Sequence, residues 1–157
     1  MSHLMKIGGA VALLAIPATA LAQPVEINAR AMVEQRKAAA DGTTKITLAA
    51  AASVTPGDRI VYQLSYRNSG REPARDLVIA NPVPANMTYA GAAEGSAEPE
   101  LSVDGTRFGS LAQLTARAAD GRVRPALASD VRVVRWRLAT PVAAGGSGQV
   151  AFRAVLK

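Results

Sequence analysis

The sequence predicts an all-β protein, an antiparallel sandwich of about 7–9 strands. Three observations carry this. Apolar and polar residues alternate with a period of two in one run after another between residues 25 and 156. Turn signals built on Gly, Pro, Asn and Asp separate the runs, and no amphipathic helical stretch of any length interrupts them.

The first 22 residues read as an export signal. Lys6 supplies a positive start, and the apolar stretch that follows is short and broken by Pro17. It ends Ala20-Leu21-Ala22, the small-x-small pattern a signal peptidase accepts, before Gln23. No later run is long and apolar enough to span a bilayer, and no Cys offers a lipid attachment point. The expectation is export without an anchor, which leaves 135 of the 157 residues to fold as one domain.

Val25, Ile27, Ala29, Ala31 and Val33 then alternate with Glu26, Asn28, Arg30, Met32 and Glu34, a half-buried strand. A turn follows at Asp41-Gly42, and TKITLAAA resumes the extended pattern. A helix through RKAAAD is the rival, since Ala and Lys favour helix; alternation on both sides favours a hairpin. Residues 23–44 are therefore assigned to an N-terminal strand or hairpin joined to a sandwich over residues 45–157.

Within the sandwich, Pro56-Gly57-Asp58 turns the chain into a strand with Ile60, Tyr62, Leu64 and Tyr66 on one face, closed by Asn68-Ser69-Gly70. Leu77 and Ile79 begin the next, which Pro82 and Pro84 stop. Asp104-Gly105 marks a hairpin between short runs. Val134, Trp136 and Leu138 face one way and Arg135 and Arg137 the other. Gly145 to Gly148 turn into a last strand with Val150, Phe152, Ala154 and Leu156 on one face. Residues 111–130 read as a loop or a single helical turn, and Glu94, Glu98 and Glu100 as part of a polar loop.

The ordered set Pro56, Gly57, Asp58, Tyr62, Asn68, Gly70, Pro82, Pro84 and Tyr89, with Trp136 and the Gly-rich turn further on, resembles the bacterial surface-repeat module catalogued as domain of unknown function eleven. The resemblance covers residues 45–157. It implies an immunoglobulin-like sandwich in an exported protein, with no enzymatic activity. Asn81 stands where that family usually has Asp, so no carboxylate role carries over there. The physics of the matched residues is architectural: Pro56 and Gly57 suit a turn, Asp58 an Asx-type bond, Pro82 and Pro84 an edge closed to foreign strands, and Trp136 the space between sheets.

Composition narrows function further. There is no Cys, and the single histidine, His3, lies in the export segment, so the exported chain lacks thiolate and imidazole chemistry and disulfides. With six aromatics, no base-stacking platform is expected. GGSG lacks the Lys and helix of a phosphate loop. Asp104 and Asp120 lack the multiple-acid spacing of a calcium loop, and a Lys45–Asn81 isopeptide crosslink has no placed carboxylate to promote it. No cofactor is expected. Two function classes remain, with an enzyme as a remote third. One is a non-catalytic module contacting another envelope or surface protein, in the periplasm, at the cell surface or secreted. Its first strand either completes its own sheet or offers an edge to a partner. The other uses a basic face, at a net charge of +6 for the whole chain, to bind an acidic polysaccharide such as lipopolysaccharide, or extracellular DNA. Arg122, Arg124, Arg135 and Arg137 are its candidate contacts, with Arg117 and Arg132 nearby.

Overall fold

Ile60, Tyr62, Leu64 and Tyr66 share one side of a strand because successive side chains of extended backbone point to opposite faces. A computed structural model describes residues 25–38, 42–51 and 53–157 and shows what that side meets. Ten strands are present among them: β1 (Val25–Ala38), β2 (Thr44–Ala50), β3 (Arg59–Asn68), β4 (Val78–Pro82), β5 (Met87–Ala92), β6 (Glu100–Ser102), β7 (Thr115–Arg117), β8 (Val123–Pro125), β9 (Val133–Arg137) and β10 (Ser147–Leu156). A five-stranded antiparallel sheet has the order β2-β1-β3-β10-β5, a three-stranded one the order β4-β9-β6, and β7 and β8 form a separate ribbon. The export reading of residues 1–22 lies outside the described residues, as does Asp41.

The core lies between the two larger sheets. Ile60, Leu64, Val150, Phe152 and Ala154 from the first pack in one buried cluster with Ile79, Leu101, Val134 and Trp136 from the second. Phe152 sits at its centre, with the Tyr62 ring stacked at 5.0 Å and Tyr89 and Trp136 at 6.2 and 6.3 Å. Burial of this apolar surface is the main stabilising term in a chain with no disulfide. The all-β class with antiparallel sheets is as the alternation predicts.

The N-terminal pattern forms the expected hairpin. β1 runs as strand to Ala38 and pairs with β2 from Met32↔Ala50 to Ala38↔Thr44, so no helix forms at residues 36–38. The stretch 111–130 is more ordered than a loop: two single 3-10 turns, Leu111–Gln113 and Ala128–Asp130, flank the β7–β8 ribbon. Glu100 belongs to β6, opposite Arg135, and not to a loop. Lys45 and Asn81 lie on edge strands of different sheets, and Asn81 donates from Nδ2 to the Pro82 carbonyl at 2.8 Å.

The outer face of the larger sheet is polar but not uniformly open. Gln63 and Gln149 bond across β3 and β10 at 2.6 Å. Arg153 on β10 reaches over β3 to Glu34 on β1 at 2.6 Å, and this bridge overlies Val61, which is buried on the face the alternation assigns to solvent. On the inner face, Gly148 lies opposite Tyr66, and a Cβ at that position would collide with the phenol oxygen. Among the described residues no helix is long and apolar enough to cross a membrane.

Candidate functional site

β1 is held to the sheet on one side along most of its length and on the other along only half of it. β3 pairs with residues 25–33, whereas β2 pairs with residues 32–38. Among the described residues, no strand lies beside residues 25–31 on the side away from β3.

Which peptide groups face that open side follows from β3. Asn68 donates its N–H to Gly146 and accepts at its carbonyl from Gly145, and the Asp58 carbonyl accepts from Leu156. The even-numbered residues of β3 therefore serve β10. The odd-numbered ones, Val61 to Arg67, serve β1, and the register gives them Met32, Arg30, Asn28 and Glu26 as partners. Alternation leaves the N–H and C=O groups of Val25, Ile27, Ala29 and Ala31 directed outward. Their side chains point to the core side of the sheet, but the three-stranded sheet does not cover them. Ile27 is 46% exposed, and Ala29 and Ala31 are exposed. Glu26, Asn28 and Arg30 line the opposite face, also exposed.

The motif residues are built into corners and core. Thr55 to Asp58 form a turn closed by Asp58 N–H to the Thr55 carbonyl at 3.0 Å, with Gly57 at φ 94°, a value that suits glycine. The Asp58 carboxylate accepts from the Thr55 N–H at 2.8 Å and from its hydroxyl at 3.1 Å. Asn68 is fully buried. Its Nδ2 donates to the carbonyls of Glu72, Val142 and Ala143 at 2.7, 2.9 and 3.3 Å, and its Oδ1 accepts from Gly70 N–H at 3.0 Å. One amide thus joins the loop after β3 to the turn before β10. Pro82 ends β4 at a sheet edge. Because Val83 donates to Arg132, the N–H that Pro82 lacks is one that would face away from β9. Pro84 accepts the Met87 N–H in the next turn. Burial first, and then Glu98, push the Tyr89 phenol up to about 12, and burial raises that of Tyr62. Trp136 is buried and donates from Nε1 to the Ala97 carbonyl at 2.8 Å.

The four candidate arginines are divided between two parts of the fold. Arg122 and Arg124 belong to the β7–β8 ribbon, Arg135 and Arg137 to β9. Each holds a carboxylate of its own chain. Arg122 pairs with Asp120 at 2.6 Å, and Arg124 makes a two-pronged contact with Asp130 at 2.6 and 2.9 Å. Arg135 and Arg137 share Glu100 at 2.6 and 3.4 Å, and Arg135 also stacks on Phe108, 3.6 Å from its centroid. The Arg124 fork, helped by the Leu127 N–H, holds the Asp130 carboxyl down to about 2. The side chain and then the N–H of Arg122 lower Asp120. Backbone N–H groups of Arg107 and Thr106 hold Asp104 well below the usual carboxylate range. Asp104 and Asp120 thus satisfy their own turns.

Sequence reasoning singled out the β1 segment as a potential edge but missed which of its peptide groups are free. It also missed the Glu34–Arg153 bridge that fastens β1 across β3. Both depend on register, for which the linear pattern carries no signal. Compared with protein-family models, curated proteins and solved structures, the chain finds no match in any of the three.

Proposed function

We propose that this chain is a non-catalytic, exported β-sandwich module, immunoglobulin-like in plan, that acts by protein–protein contact at the cell envelope or surface. The observation that carries the proposal is the open β1 edge. Residues 25–31 direct the peptide groups of four residues outward, with no proline among them and a half-exposed Ile27 beside them. Soluble proteins usually blunt such edges with proline, bulges or short strands, as Pro82 does at the β4 edge. An edge left unblunted suits strand addition, in which main-chain hydrogen bonds supply affinity and alternate side chains supply selectivity. The motif set from Pro56 to Trp136 supports the immunoglobulin-like plan and the exported setting through its resemblance to domain of unknown function eleven.

The competing polyanion role is less favoured by the geometry, because Asp120, Asp130 and Glu100 each sit against a candidate arginine and offset its charge. The experiment is photo-crosslinking in the native organism from a reactive residue at Ile27, with a second at Arg137 as comparison. The expected result is a protein adduct from position 27 in the envelope fraction. No protein adduct from position 27, with lipopolysaccharide or DNA captured from position 137, would overturn the proposal.

A further inference from the structure

We infer that the strand that occupies the β1 edge is β1 of a second copy of this chain, paired antiparallel over residues 25–31 about a two-fold axis at Asn28. This rests on the contact-module proposal above and names its partner.

The open side of β1 ends where β2 takes over at Met32↔Ala50, so β2 of each copy limits how far the incoming strand can run in that direction.

Hydrogen bonding then restricts the register. The outward peptide groups belong to odd-numbered residues, and two such edges exchange N–H···O=C bonds only when odd meets odd. An axis at Asn28 sets Ile27 opposite Ala29 of the copy and Val25 opposite Ala31, all as hydrogen-bonded pairs. Ile27, half exposed in the single chain, gains an apolar neighbour on the face where its own second sheet does not reach.

Charge selects among the registers that remain. With the axis at Asn28, Glu26 stands opposite Arg30 of the copy, and the symmetry makes this contact twice. Both fall in non-hydrogen-bonded pairs, where opposed side chains lie closest, with Cα atoms about 4.5 Å apart. Moving the axis to residue 27 or 29 places Asn28 or Met32 opposite Glu26 and leaves both charges unmatched. Within its own chain, among the described residues, neither Glu26 nor Arg30 makes an ion pair. Arg67 lies opposite Glu26 on β3, but across the wider, hydrogen-bonded kind of pair. The dimer joins the two five-stranded sheets into one continuous sheet through their β1 strands.

The test is sedimentation of the full chain over a range of concentrations. The wild type is expected to show a reversible monomer–dimer equilibrium that weakens with salt. Ala29→Pro removes an N–H that faces only the open edge and leaves the β1–β3 bonds in place, so it is expected to abolish the dimer while the melting curve stays cooperative. Glu26→Arg and Arg30→Glu each replace two attractive contacts with two repulsive ones and are expected to weaken association about tenfold. The double exchange Glu26→Arg/Arg30→Glu restores opposite charges in the same register and is expected to restore dimerisation. A dimer indifferent to Ala29→Pro, or a double exchange no better than the single variants, overturns the inference. A monomer at every concentration also overturns it. In that case a crosslink from Ile27 to a different protein leaves the contact-module proposal standing, and the absence of any such crosslink removes both.

Discussion

Asn68→Asp is expected to destabilise the protein by about 3 kcal/mol or more at neutral pH, enough to threaten the fold of a domain this size. The replacement is nearly isosteric, so packing does not explain the loss. Nδ2 donates to three carbonyls in a fully buried position, and Asp puts an acceptor where that donor stood. A carboxylate there faces carbonyl dipoles while out of water, and only Gly70 N–H remains to offset it. The sign of the pH dependence follows. These neighbours disfavour the charged form, so the folded-state carboxyl is raised above the unfolded value of about 3.9. The unfolded chain then releases the proton more readily, and stability falls as pH rises through the window between the two values. Acidification within that window should recover part of the loss. Denaturant midpoints at several pH values measure this. A variant within about 1 kcal/mol of wild type at neutral pH, or one whose deficit shrinks as pH rises, contradicts the role given to Asn68.

Trp136→Ala is expected to cost about 3–5 kcal/mol. The indole is buried between the sheets, in contact range of Phe152, and the smaller side chain leaves a cavity that neighbours on two rigid sheets fill poorly. It also removes the donor to the Ala97 carbonyl, which ties the segment before β6 to β9. Trp136→Phe separates the two effects. It retains much of the apolar volume and loses the hydrogen bond, so it should fall between wild type and Ala in equilibrium unfolding. A loss for Trp136→Ala below about 1 kcal/mol would place the main stabilising contacts elsewhere.

The parts of the fold legible in the sequence are those where one face of a strand meets the core along most of its length. β3 and β10 show this, and Trp136 falls on the inner face of β9 as the alternation requires. β6, β7 and β8 are three residues each, too short for a period of two to register. Their strand character comes from their pairing partners, which is why Glu100 looked like a loop residue. Val61 defied its polar-face assignment because long side chains from β1 and β10 close over it. The basic face was read from cation positions alone. The acids that pair with those cations include one, Glu100, that is 35 residues from Arg135 and adjacent only after folding.

The β1 edge was legible as a segment but not as a surface. Its alternation gave the strand, while its open side depends on how far β2 overlaps it. That overlap is set by a hairpin whose register the turn residues alone do not fix. The most direct measurement of its role is amide-resolved hydrogen exchange on the full chain, dilute and concentrated. Glu26, Asn28 and Arg30, bonded to β3, should be protected at both concentrations. Val25, Ile27, Ala29 and Ala31 should exchange fast when dilute and gain protection on self-association. Protection of these four in dilute monomer, or its absence in the associated protein, would contradict the claim that β1 is the contact edge.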